Sequence, residues 1–131
     1  MSFMIHSTGD NRVPQNHRAP CGAITPKVGM AMVLTNGVLA TATGTTRPTH
    51  ISMREQETPC TAGDMIYTIR AENDIVFETT FAADPAAVKV GDKLTIHTDG
   101  QQVTATKEGG VAEVVHIFEA AVGGKVHVRF P

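Results

Sequence analysis

The sequence predicts an all-β protein: a small β-barrel or sandwich-like body with one short helical turn, preceded by an extended N-terminal arm. Three observations carry this. From residue 28 onward, short runs rich in Val, Ile, Thr and Phe alternate with Gly, Asn or Asp turns. Two strong turn dipeptides, Asn36-Gly37 and Asp99-Gly100, lie between apolar runs. Residues 1–27, by contrast, are broken by Pro14, Pro20 and Pro26 and show no sustained period of 2 or 3.6. The expected organisation is an arm over 1–27 and a β-rich domain over 28–131.

Each proline biases its predecessor away from helix, so the arm is expected to be extended. Its apolar residues are isolated, and Phe3, Ile5, Val13 and Ile24 are its candidate contact residues. Such a segment either stays disordered or orders on a partner by adding a strand or filling small pockets. Arg12, Arg18 and Lys27 face only Asp10 within it, whereas the body is net acidic. The arm therefore suits an acidic surface, including the body of a neighbouring copy.

The first hairpin, 30–35 and 38–43, is apolar on both faces. Met30, Met32, Leu34 and Leu39 share one face, and Ala31, Val33, Val38, Ala40 and Ala42 share the other. A two-sided apolar hairpin needs cover on both sides, and the second cover comes either from another chain or from a loop or strand of the same chain. Its candidate interface residues are Met30, Ala31, Met32, Val33, Val38, Ala40 and Ala42.

Further strands are expected over 49–54, 65–70, 75–81, 92–98, 101–106, 111–119 and 125–130. In the hairpin around Asp99-Gly100, Leu94, Ile96, Val103 and Ala105 form a dry face. Thr95, His97, Gln102 and Thr104 form a wet one. Asp84, Pro85 and Gly91 carry the start and stop signals of the single short helix. Gly123-Gly124 reads as the turn joining the last two strands. Val28-Gly29-Met30, Ala62-Gly63-Asp64 and Val90-Gly91-Asp92 echo one another as a recurring corner, in which glycine permits the bend and aspartate bonds nearby amides.

Of the 131 residues, 41% are apolar and 18% charged, enough for one folded domain with a core. The net charge of −2, a single Tyr and no Trp argue against a nucleic-acid binder and against an aromatic-platform carbohydrate module. No stretch approaches the roughly 20 apolar residues of a bilayer span, and no secretion signal is visible. Synthesis in a reducing cytosol is expected. Cys21 and Cys60 are then free thiols, or else a bridge fixing the arm to the body.

Catalytic signatures are absent from the sequence. The six histidines, His6, His17, His50, His97, His116 and His127, include no HxH, HxxxH or HExxH spacing, and there is no GxSxG elbow or phosphate loop. Glu55 and Glu57 read as a solvated loop. One alternative stays open: a small metal-binding barrel or cupin-like enzyme in which two or more of His97, His116 and His127 converge.

The arm leads to Ile24-Thr25-Pro26-Lys27-Val28-Gly29-Met30-Ala31-Met32-Val33-Leu34, a short turn, Val38-Leu39-Ala40-Thr41-Ala42 and Thr43-Gly44-Thr45-Thr46. This pattern resembles the head-decoration, or cement, proteins of tailed bacteriophages, most closely over 20–54. The resemblance implies a non-enzymatic virion protein without cofactor or metal, made in the bacterial host cytoplasm. It implies a place on the capsid exterior, where such proteins bind the major capsid (coat) protein, often as homotrimers, and lock coat subunits together. It also implies an arm that lies on the coat and adds to its strands, with neither nucleic acid nor membrane as partner.

Overall fold

The structure is a computed structural model that describes residues 2–9 and 13–131. Ten strands follow in order: β1 (Met4–Ser7), β2 (His17–Cys21), β3 (Ala31–Thr35), β4 (Val38–Thr41), β5 (His50–Ser52), β6 (Asp64–Arg70), β7 (Val76–Thr80), β8 (Lys93–Leu94), β9 (Ala112–Ile117) and β10 (Lys125–Arg129). They form two layers. Strands β2-β4-β3-β5-β6 close a barrel, and β1-β7-β10-β9-β8 make an open sheet. All strand pairs are antiparallel except β2 with β4, which meet in parallel at Cys21 and Leu39.

The all-β prediction is correct, and the first hairpin explains the architecture. Asn36 and Gly37 both take positive φ, 52° and 82°, as a type I′ turn requires. The register Met32↔Thr41, Val33↔Ala40 and Leu34↔Leu39 then fixes which side chains share a face. Met30, Met32 and Leu39 point into the barrel, with Ala19, Cys21, Cys60 and Ile66. Ala31 and Ala42 point the other way, into a larger core with Ile51, Ile69, Phe77 and Phe130, where Val33 also packs. The hairpin is thus a wall between two cores of one chain. The second cover is the chain's own open sheet, so Met30, Ala31, Met32 and Ala42 are not free contact residues, contrary to the sequence expectation.

The arm is corrected in the same way. Strand β1 pairs with β7, and β2 pairs with β6 over five registered residues, so residues 1–27 give one strand to each layer. Phe3 is buried, its ring 5.4 Å from Phe130, which in turn lies 5.6 Å from Phe77. The Phe3 N–H donates to the Gly29 carbonyl at 2.9 Å. Gly29 has φ +80°, and a Cβ there would collide with Ser2 and the Phe3 carbonyl. The glycine of the first echoed corner is therefore the seat of the N-terminus. The sequence showed isolated apolar residues in 1–27 because β2 buries only Ala19 and Cys21, and β1 buries none of its own side chains, Phe3 just before it being the buried one.

The corner echo itself is structural. At Gly63 and Gly91 (φ +97° and +96°) the N–H of the following aspartate donates to a carbonyl three residues back, Thr61 or Lys89. The same aspartate's carboxylate accepts the N–H of Thr61 or Lys89 at 2.9 Å in both cases. The Val28-Gly29-Met30 corner makes the same turn without the aspartate, through Met30 N–H to Lys27 O.

Two local readings change. Residues 84–91 make tight turns in place of a regular helix: the Asp84 carboxylate accepts the Ala86 N–H and Pro85 O accepts the Val88 N–H, but no ladder follows. Near Asp99-Gly100 the strands expected over 92–98 and 101–106 shrink to β8 and an isolated bridge between Ile96 and Val103, but the dry face stays, with Leu94, Ile96 and Val103 buried. The loop there is four residues long, because Asp99 accepts the N–H groups of Gln101 and Gln102 and His97 closes on Gln102.

Arg47 ties the end of β10 to the body. Its guanidinium donates to the carbonyls of Pro48, Ala71, Phe130 and Pro131 at 2.7–3.0 Å. Arg47→Ala is expected to lower unfolding free energy by about 1–3 kcal/mol, read as a reduced midpoint in urea with unchanged slope.

Candidate functional site

Three surfaces bring chemistry-bearing side chains together. The first is the tip of the β3–β4 hairpin. Leu34 is exposed there, and Val33, Val38 and Ala40 are half-buried, so of the predicted interface set only Val33, Val38 and Ala40 remain reachable.

The second is the outer face of the barrel along β2 and β6. Arg18 stands opposite Tyr67 in register, with its guanidinium 5.9 Å from the ring centroid, and Pro20 stands opposite Met65. Tyr67 is 56% exposed and Met65 49%. A tyrosine under an arginine beside a methionine is a composition enriched at the centres of protein interfaces. Sequence reasoning missed this pair. Strand β6 alternates Ile66 and Thr68, inside the barrel, with Met65 and Tyr67, outside, and that two-sided apolar pattern was its signal.

The third is the outer face of the open sheet. Its histidines come from β1, β10 and β9. The His6 ring lies over His127 with centroids 3.9 Å apart, and Phe118 packs edge-on to His127 at 4.6 Å and His116 at 4.4 Å. The His127 Nε2 lies 3.2 Å from Glu78. His116 and His127 do come together, 6.4 Å between centroids, but on the outside of the sheet and not in a barrel interior. The third partner is His6, from the segment read as an arm, whereas His97 lies at the base of the 98–101 loop. Among the described residues no group of three or more His, Cys, Asp or Glu is placed to hold a metal ion. Nor is any helix of the described residues long and apolar enough to cross a membrane.

Of the candidate arm contacts, Phe3 belongs to the main core and Ile24 packs half-buried against the barrel core. Ile5 is exposed on the edge strand β1, and Val13 is exposed beside residues 10–12, which lie outside the described set.

His50 lies on β5, where Met32 of β3 is its register partner. Burial lowers its pKa below the ordinary 6.5, and the charges of Arg70 and then His17 lower it further. The Thr49 hydroxyl, which accepts the Leu34 N–H, reaches His50 Nδ1 at 2.8 Å, an arrangement suited to the neutral ring. Below about pH 6.5 the unfolded chain binds this proton before the folded one does, so stability falls with falling pH until the folded histidine also titrates. Urea unfolding from pH 7.5 to 5 should show a shallower acid-side loss for His50→Gln than for the parent chain; parallel curves would remove His50 as a cause.

No family model and no curated protein matches this chain. Among solved structures, the head fiber gp8.5 N base of bacteriophage phi29 has the same fold, with a TM-score of 0.60 over 91% of this chain and 95% of that one, at 18% identity. The two-layer barrel-and-sheet fold is therefore one found in a head-associated phage protein, the kind of protein the sequence resembles.

Proposed function

We propose that this chain is a structural protein of a tailed-phage virion, seated on the outside of the head and binding the major capsid protein. It stabilises contacts between coat subunits there, as a homotrimer. The observation that carries the reading is the fold shared with the phi29 head-fibre base along almost the whole of both chains. Such a role needs rigid β-structure and contact patches rather than a catalytic constellation, because many modest contacts repeated over a closed shell add by multivalency. The Tyr67–Met65–Arg18 face and the Leu34–Val38 hairpin tip are the contact patches this reading uses. A contact of about 800 Å² per partner is an ordinary size for each.

The likeness to the N base of a head fibre supports a second form of the same reading, in which the domain seats an appendage on the head without cementing coat subunits. Quantitative mass spectrometry of purified particles tests both. A fixed ratio to the major shell subunit is expected, and absence from particles overturns the reading. Particles stripped of the chain should lose heat or osmotic resistance if it cements the shell, and keep it if it only seats an appendage. Light scattering of the purified chain checks the trimer, and a monomer at all concentrations removes that part.

A further inference from the structure

Cys21 ends β2 and Cys60 lies just ahead of β6, the strand to which β2 is paired. Both thiols are free and both sit in the barrel core among Met30, Met32, Leu39 and Ile66. The segments carrying them are held side by side: Gly63 N–H donates to Cys21 O at 2.8 Å, and Cys60 N–H to Ile24 O at 2.9 Å. The two thiols lie close enough within that core to act on one another. These are the only cysteines of the chain, so neither has a competing partner within it.

We propose that Cys21 and Cys60 are an oxidisable pair, which a small peroxide converts into an intrachain disulfide inside the barrel. Cys21 is fully buried and Cys60 is 5% exposed, so Cys60 is the point of entry. In the first step the Cys60 sulfur attacks one oxygen of hydrogen peroxide. The O–O bond breaks, the sulfur becomes a sulfenic acid, and one water leaves carrying the thiol proton. In the second step the Cys21 sulfur attacks the Cys60 sulfur. The S–S bond forms, the S–OH bond breaks, and the hydroxyl leaves as water with the Cys21 proton. Two thiols are oxidised by two electrons and one peroxide is reduced to two waters.

Two features set the conditions. Burial first, then the contact with Cys60, pushes the Cys21 thiol up to about 12, so at neutral pH it is almost wholly protonated. The pair therefore stays reduced in a cytosol and closes slowly, during openings of the barrel. Once closed, the bridge encloses β3, β4 and β5 in one covalent ring and ties both flanking strands of the barrel together. A cross-link of this span restricts the unfolded chain and resists barrel opening.

The test uses the full chain, treated with hydrogen peroxide, quenched with catalase, unfolded and alkylated with N-ethylmaleimide. Oxidation of the exposed Met4 and Met65 serves as the internal measure of peroxide exposure. The reduced chain carries two labels. The expected result is loss of both labels together, a Cys21–Cys60 linked peptide, a monomer on a non-reducing gel and a higher urea midpoint that dithiothreitol reverses. Cys60→Ser should keep its single label on Cys21 under the same treatment. Retention of both labels once Met4 and Met65 are fully oxidised overturns the proposal. So does label loss as sulfinic acid or as a dimer linked between chains.

Discussion

A chain lacking residues 1–27 is expected not to fold. The extended look of this segment in the sequence suggests the opposite, a body that tolerates the loss. Its contacts in the structure decide the matter. Removing β2 leaves β4 and β6 without the strand that joins them, so the barrel opens along a full edge. Its interior then loses Ala19 and Cys21, and water reaches Met32 and Leu39. Removing Phe3 costs the large core an aromatic side chain packed on Phe130, which by itself is worth about 3–5 kcal/mol. Domains of this size have roughly 5–15 kcal/mol of total stability. One deletion that opens a barrel and hollows a second core exceeds it. The check is urea unfolding by near-ultraviolet circular dichroism: the full chain should give one cooperative transition and the truncated chain none. A cooperative transition in the truncated chain would mean that 28–131 folds alone and that β1 and β2 are accessory.

The same comparison shows what the sequence carries and what it does not. Alternation and turn dipeptides reveal β3, β4, β6, β7, β9 and β10 to within a few residues, because each has a side that must be dry and a turn whose φ values demand particular residues. Strand β2 escapes detection because Pro20 lies within it and its buried residues, Ala19 and Cys21, are small. Strand β1 escapes because all four of its residues are exposed; it is fixed by Phe3, one residue before it, and by backbone pairing that carries no composition signal. Contact surfaces are harder still. His6 and His127 are far apart in sequence, and only the register of β1, β7 and β10 stacks them. Tyr67 and Arg18 meet through the pairing of two strands of which one was invisible.

The two faces of the first hairpin supply the sharpest separation of core from contact surface. Ala31→Asp puts a carboxylate between the barrel wall and the open sheet, where Ala31 is fully buried with Ile51 and Ile69 around it. The described residues of that core are apolar, and desolvation of an unpaired carboxylate costs roughly 3–5 kcal/mol or more. The variant is expected to be largely unfolded at 25 °C, with its cooperative urea transition lost or moved close to zero denaturant. Leu34→Asp, one turn of the pleat away at the exposed tip, should leave the urea midpoint nearly unchanged, since a surface substitution costs within about 0.5 kcal/mol. Its effect belongs to assembly: under the proposed function it weakens binding of the folded chain to stripped particles, measured by co-sedimentation. Full binding by a folded Leu34→Asp variant would remove the hairpin tip from the interface and leave the Tyr67 face as the patch to mutate next. A stable, cooperative Ala31→Asp variant would mean that the sheet does not press on that face, and the division of the hairpin between two cores would fail with it.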